Sequence, residues 1–251
     1  MLIENQGDSF ETLISQNQNL SFETLNNIFN KHNINFDDNK LKSLNIINLN
    51  GQYTNLGLLL SDECPYSVKC AIYNGTNKLE FKDRKEFNGS VLKQVNDVFE
   101  YLELFNKTKE KIIGLERIDT KDYPEYALRE SLLNAIIHRD YNYKGSILIS
   151  LYDDHFEITS LGGIVKGLSL KDLYLGISES RNPNLANIFY RLKYVESFGT
   201  GIGRIIESYN DFDKKPVFVD TDNAFNVTLY NVNYLKNSEK VLPSNLTQEK
   251  K

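Results

Sequence analysis

An acid and an amide stand four residues apart in Arg129-Glu130-Ser131-Leu132-Leu133-Asn134-Ala135-Ile136-Ile137-His138-Arg139-Asp140-Tyr141, inside an apolar pattern of helical period. Residues i and i+4 share one face of a helix, so Glu130 and Asn134 point at a single spot. A carboxylate there can orient a water, and an amide oxygen can ligate a hard cation such as Mg²⁺. An isolated Glu-x-x-x-Asn is usually an exposed helix face, but two glycine runs follow it: Gly162-Gly163 after a strand-like stretch, and Gly199-Thr200-Gly201-Ile202-Gly203 entering a helical one. A glycine-rich turn at a helix N-terminus offers bare backbone N–H groups and the positive end of the helix dipole, which together hold phosphate oxygens. The three features in order read as a nucleotide site. No Gly-x-x-x-x-Gly-Lys-Ser/Thr occurs, so a P-loop is excluded as a simple reading.

The elements that must position these residues follow from periodicity. Leu128, Leu132, Leu133, Ile136 and Ile137 form the stripe that anchors the featured helix, with the polar pair at its edge, and Tyr123-Pro124-Glu125 opens it. A helix over 90–105 carries Val91, Val95, Val98, Phe99, Leu102 and Phe105 on one stripe. Strands are expected over 112–118, over 146–151 and 155–159 paired across Asp153-Asp154, and over 224–230. Stretches 69–73 and 78–81 read as a hairpin across Asn74-Gly75-Thr76-Asn77, and 185–192 and 205–209 as helices. Residues 1–50 read as two or three short helices with caps at Ser9-Phe10-Glu11 and Ser21-Phe22-Glu23-Thr24. The expected organisation is a helical segment 1–50, a small α+β region 51–110, a main domain 111–235 and a polar, disordered tail 236–251.

With 40% hydrophobic and 12% aromatic residues, the 251-residue chain has ample material for a core. A net charge of -5 and a pI near 5.4 disfavour DNA binding by this chain alone. Cys64 and Cys70 have no second pair or histidine cluster to complete a metal site and read as reduced core residues. The N-terminus lacks signal-peptide character and no apolar run approaches membrane-spanning length, so the expected home is the cytoplasm, with no membrane partner.

The order and spacing of the boxes resemble the Bergerat ATP-binding fold of the gyrase, histidine kinase and MutL superfamily. More closely, residues 111–235 resemble the bacterial branch labelled as the RecG-like C-terminal domain. The match rests on Arg129-Glu130, Asn134-Ala135, His138-Arg139-Asp140-Tyr141, Gly162-Gly163, Ser180-Arg181-Asn182-Pro183 and Glu196 through Gly201, and runs upstream through Thr54 to Asp62 and Glu86 to Ser90. The resemblance implies an α+β protein, a Bergerat-type α/β sandwich preceded by a smaller helical and β-hairpin portion. It implies ATP and Mg²⁺, with Glu130 as the water-activating base of a weak ATPase and Asn134 as the Mg²⁺ ligand. Nucleotide contacts are implied for Asn134, His138, Ser160, Gly162, Gly163, Arg181, Gly199, Thr200, Gly201 and Gly203.

His138 reads more readily as a structural residue bonded to a carbonyl than as a catalytic one, and Arg181-Asn182-Pro183 equally as the cap of the following helix. The sequence departs from the superfamily where an Asp-x-Gly-x-Gly turn grips adenine: here it reads Thr159-Ser160-Leu161-Gly162-Gly163, with a neutral and shorter partner at Ser160. Relatives of this branch follow an AlbA/Schlafen-type DNA-binding domain, often precede a winged helix, and are called transcriptional regulators. This chain is expected to lack both, so DNA is a partner only through missing or partner domains, and a homo-oligomer is compatible. The alternatives are a degenerate, non-binding scaffold for oligomerisation or partner contacts, and a helicase-related accessory protein, although no helicase motor motif is present.

Overall fold

The protein is described here by a computed structural model over residues 9–196 and 201–234. Its helices are Glu23–Lys31 (α1), Asp38–Ser43 (α2), Asn55–Leu60 (α3), Val91–Glu103 (α4), Glu125–Ile137 (α5), Leu170–Tyr174 (α6), Pro183–Arg191 (α7) and Gly201–Glu207 (α8). Its strands are Val68–Tyr73 (β1), Phe81–Phe87 (β2), Thr108–Ile113 (β3), Glu116–Lys121 (β4), Ile147–Leu151 (β5), His155–Leu161 (β6), Val217–Thr221 (β7) and Ala224–Tyr230 (β8). Six strands form one sheet in the order β2-β1-β5-β6-β8-β7, in which β1 and β5 run parallel and every other pair is antiparallel. Residues 51–110 and 111–235 thus share one sheet.

Side chains alternate across a strand, and the alternation here is one-sided. Cys70, Ile149, Ile158 and Val227 are cross-strand neighbours and all buried, while Lys69, Leu148, Thr159 and Asn226 on the other face are open or half-open. Helices α4 and α5 cover the buried face, giving two layers. Leu92, Val98, Leu128, Leu132 and Ile136 fill the seam, each worth about 1.5–3 kcal/mol of apolar burial.

Helix α5 is buried on nearly all sides rather than along a stripe: Glu130 and Ser131 are enclosed with the leucines, because α8 closes over the polar side. Three further expectations shift. The second hairpin strand starts at Phe81, where 78–81 was expected, and the turn lengthens. The expected single strand 112–118 is the middle of an antiparallel hairpin, β3 and β4, that turns at Gly114-Leu115. Strand β7 and helix α6, absent from the periodicity reading, complete the wall around the site.

Of the short helices in the first 60 residues, α2 and α3 are capped locally, by Asp37 and Thr54, and α1 from a distance. Ser9 and Ser21 do not cap by their side chains; the Asp62 carboxylate accepts the Glu23 N–H (2.7 Å) and the Thr24 N–H (3.3 Å) at the start of α1. Glu11, fully buried, accepts the N–H groups of Asn184 (2.7 Å) and Leu185 (2.9 Å) in the first turn of α7. That bond pair joins the N-terminal segment to the helix that follows the Ser180-Arg181-Asn182-Pro183 box. Both cysteines are free and buried, and burial pushes each thiol up to about 12.

Candidate functional site

A cavity of about 350 Å³ opens between α5, the β6-β8-β7 end of the sheet, α6 and α8. Glu130 and Asn134 occupy one wall, as their i, i+4 spacing requires. The backbone of Gly201 lies directly on the pair: a Cβ there would come 3.0 Å from Asn134 Nδ2 and 3.2 Å from Glu130 Oε2. Glycine leaves that approach open, and any side chain would occupy it.

Glu130 is 7% exposed. Its Oε1 accepts from Arg129 Nη1 at 2.7 Å, and Arg129 also donates to the Tyr194 carbonyl. Burial raises the Glu130 pKa, and the positive charges of Arg129 and Arg204 pull it back part of the way. Asn134 and His138, one turn apart on α5, make no side-chain hydrogen bond among the described residues. His138 is pushed down to about 4 by burial and by the Arg181 charge, so its imidazole is neutral at pH 7.

The second box is fixed from below. Ser160 falls on the inward row of β6 with Phe156 and Ile158, so its hydroxyl meets α5 and donates to the Ala135 carbonyl at 2.7 Å. After β6 the chain turns at Gly162, where φ is +90° and a Cβ would strike Asp140 Cβ at 2.7 Å. Gly163 has less room still: its Cβ would sit 2.0 Å from the Thr221 carbonyl oxygen.

The Ser-Arg-Asn-Pro box acts on the end of α5. Asn182 is the residue before α7, yet its side chain caps no N–H there; its Nδ2 donates to the carbonyls of Ile137 and Arg139, both at 2.8 Å. Arg181 takes the carbonyl between them, His138 (3.3 Å), and also that of Gly163 (2.8 Å), with Asp140 at 3.5 Å. The helix-capping expectation for Asn182 therefore moves to a different helix, while Pro183 keeps its place in the first turn of α7.

Of the residues singled out from sequence, Glu130, Asn134, His138, Ser160, Gly162, Gly163 and Gly201 line this one cavity. Arg181 stands behind the rim, and Gly203 lies away from it with open space at its Cα. Gly199 and Thr200 lie outside the described residues. Periodicity missed Arg204, which lines the cavity, pairs with Glu196 and donates to the Tyr126 hydroxyl at 2.7 Å. It also missed the apolar wall of Leu173, Phe218 and Phe225, which come from α6, β7 and β8. Phe225 was detectable as directly opposite Ser160 once β6 and β8 were paired.

Residues 145–229, about a third of the chain, match the model of the family described as "Putative ATP-dependent DNA helicase recG C-terminal". That span holds both residues of the Gly162-Gly163 turn, Arg181 and Gly201, and begins after Glu130 and Asn134. No curated protein matches the sequence. Among solved structures, the crystal structure of the DIP2311 protein from Corynebacterium diphtheriae superposes on 90% of this chain with a TM-score of 0.78 at 20% identity. This chain spans 48% of that one. The fold is a GHKL-like α/β sandwich.

The matched family is an ATPase-type domain, and the cavity can be judged against that ligand class. Its apolar floor meets a polar rim whose charged side chains are Glu130, Glu179, Glu196 and Arg204. Among the described residues no cluster of three or more His, Cys, Asp or Glu side chains exists to cage a metal alone. One amide oxygen and one carboxylate side by side suit Mg²⁺, which keeps waters and phosphate oxygens as its remaining ligands. No helix among the described residues is long and apolar enough to cross a membrane.

Proposed function

We propose that this chain binds ATP with Mg²⁺ in the α5–α8 cavity and serves as the nucleotide-responsive core of a DNA-associated transcriptional regulator. The observation that carries the reading is the bare Gly201 backbone laid on Glu130 and Asn134, beside an amide and an imidazole whose side chains find no hydrogen-bond partner among the described residues. Both side chains are half-buried on the cavity wall, where a ligand can take up their free hydrogen-bonding positions. Asn134 would present its amide oxygen to the cation, which screens phosphate charge when bound. Neutral His138 would donate or accept one hydrogen bond without adding charge. Ser160 keeps its lone pairs for a base donor, since its hydrogen is committed to Ala135.

A calorimetric ATP titration with and without Mg²⁺ tests this. Binding that strengthens with Mg²⁺, and an Asn134→Ala variant that loses the Mg²⁺-dependent part, are expected; no heat at millimolar ATP sinks the reading.

Weak hydrolysis is a second reading, favoured by the environment of Glu130. A carboxylate whose pKa is raised by burial is a stronger base than an exposed one, and its Oε2 lies at the cavity wall against the Gly201 backbone rather than on Arg129. If phosphate release is measurable, Glu130→Gln should lower it about 10²-fold or more while ATP stays bound. The regulatory and DNA-associated parts rest on the family resemblance. A gel shift across a salt series checks whether this chain itself touches DNA, and the acidic balance predicts no shift.

A further inference from the structure

The β3–β4 hairpin belongs to neither layer. It forms its own two-stranded sheet, and every residue from Thr108 to Asp119 is exposed. Its root is held: Asn233 Nδ2 donates to the Thr120 carbonyl at 2.9 Å, and Lys121 pairs with Glu103 and Glu125. Its outer half carries Ile112, Ile113, Leu115 and Ile118, with Ile112 76% exposed and Leu115 wholly so. A lone two-stranded hairpin is marginal in water, and its two open edges are templates for further pairing.

We propose that this hairpin is a self-association arm, in which β4 adds antiparallel to β4 of a second copy of this chain about a two-fold axis at Ile118. The charges select that partner and that edge. Centred on Ile118, the two-fold sets isoleucine against isoleucine, Arg117 directly opposite the second copy's Asp119, and Asp119 opposite its Arg117. Opposite charges facing across strands favour the pairing, and like charges oppose it. The same operation on β3, centred on Ile112 or Ile113, pairs no opposite charges. The antiparallel overlap also carries each Leu115 tip to the partner's Lys121 at the root, where the exposed Leu104 adjoins the Glu103 that Lys121 bonds. An isologous contact of this kind closes at two copies. The arm's four cations, Lys109, Lys111, Arg117 and Lys121, are nearly matched by Glu110, Glu116 and Asp119, which does not suit a phosphate backbone.

Sedimentation velocity over a concentration series of the full chain tests the arm. A monomer–dimer equilibrium is expected for the wild type. Arg117→Asp should abolish it by setting aspartate against aspartate, and Arg117→Asp with Asp119→Arg should restore it. Arg117 also holds Asp119 of its own strand at 2.9 Å, a pair the double variant re-forms in reverse. A mixture of Arg117→Asp chains with Asp119→Arg chains is therefore the decisive case: it sets opposite charges across the two copies while neither chain regains its own pair, and a heterodimer is expected. Ile118→Cys should give a disulfide-linked dimer on mild oxidation, since the native thiols are buried. A wild type that stays monomeric at high micromolar concentration overturns the proposal, as does a dimer indifferent to Arg117→Asp. Binding of the arm to DNA or to anionic vesicles in place of itself, lost on Ile118→Asp, also overturns it.

Discussion

Glu11 and Glu130 are both enclosed carboxylates whose pKa burial raises, and they have opposite surroundings. Glu11 sits at the end of α7 with a backbone N–H for each oxygen, so both its bonding positions are filled by the fold. Glu130 has one oxygen on Arg129 and the other at a cavity wall, beside the bare backbone of Gly201. Burial alone therefore does not mark a functional acid in this molecule. The distinguishing sign is whether the fold completes the acid's hydrogen bonding or leaves part of it to something that arrives.

The contrast can be broken most forcefully at Glu11. Glu11→Ala leaves two N–H groups of α7 unpaired in the interior, an expected cost of about 2–4 kcal/mol. The midpoint of urea unfolding should fall with an unchanged slope, while ATP affinity measured on the folded variant stays near wild type. A smaller effect comes from closing the open side of Glu130: Gly201→Ala places a Cβ against Asn134 and Glu130 and should weaken ATP binding about tenfold, or 1.4 kcal/mol, with little change in melting. If instead Gly201→Ala mainly unfolds the protein, the glycine serves packing and the contrast collapses.

The smallest effect is the sharpest discriminator. Glu130→Gln should leave stability at pH 7 within about 1 kcal/mol of wild type, because it removes a charge whose burial is only partly compensated by Arg129. The sign with pH follows from the raised pKa. The folded state holds the proton more tightly than the unfolded one, so wild-type stability falls as pH rises from the ordinary value of 4.5 through the raised folded value. Urea titrations of wild type and Glu130→Gln across that window should diverge in this direction, and parallel curves would contradict the raised pKa.

Local patterns were legible in proportion to how much each strand or helix buries. Helix α5 and strands β5, β6 and β8 announce themselves because apolar residues repeat at the helical or the alternating period. Strand β7 buries Phe218 alone and carries no pattern to read, while β3 and β4, exposed up to Asp119, showed only as one strand over 112–118 with the turn between them unseen. The pairing of Glu130 with Asn134 needed only helix geometry, whereas Gly201 reaches them from 67 residues beyond Asn134. Glu11 and Asp62 act still less visibly, since each caps a helix distant in sequence and no spacing rule connects them. The stripe reading placed Glu130 at an edge because the helix that covers it, α8, is remote in sequence and leaves no trace in the period of α5 itself.

Arg181 joins carbonyls of two different walls, His138 at the end of α5 and Gly163 beyond β6. With Asn182 holding Ile137 and Arg139 beside it, that corner of the cavity is riveted. The two walls cannot part there without stripping an arginine of its acceptors. Any widening of the cavity then falls to the opposite margin, where α6 and α8 meet, as a book opens from its bound spine.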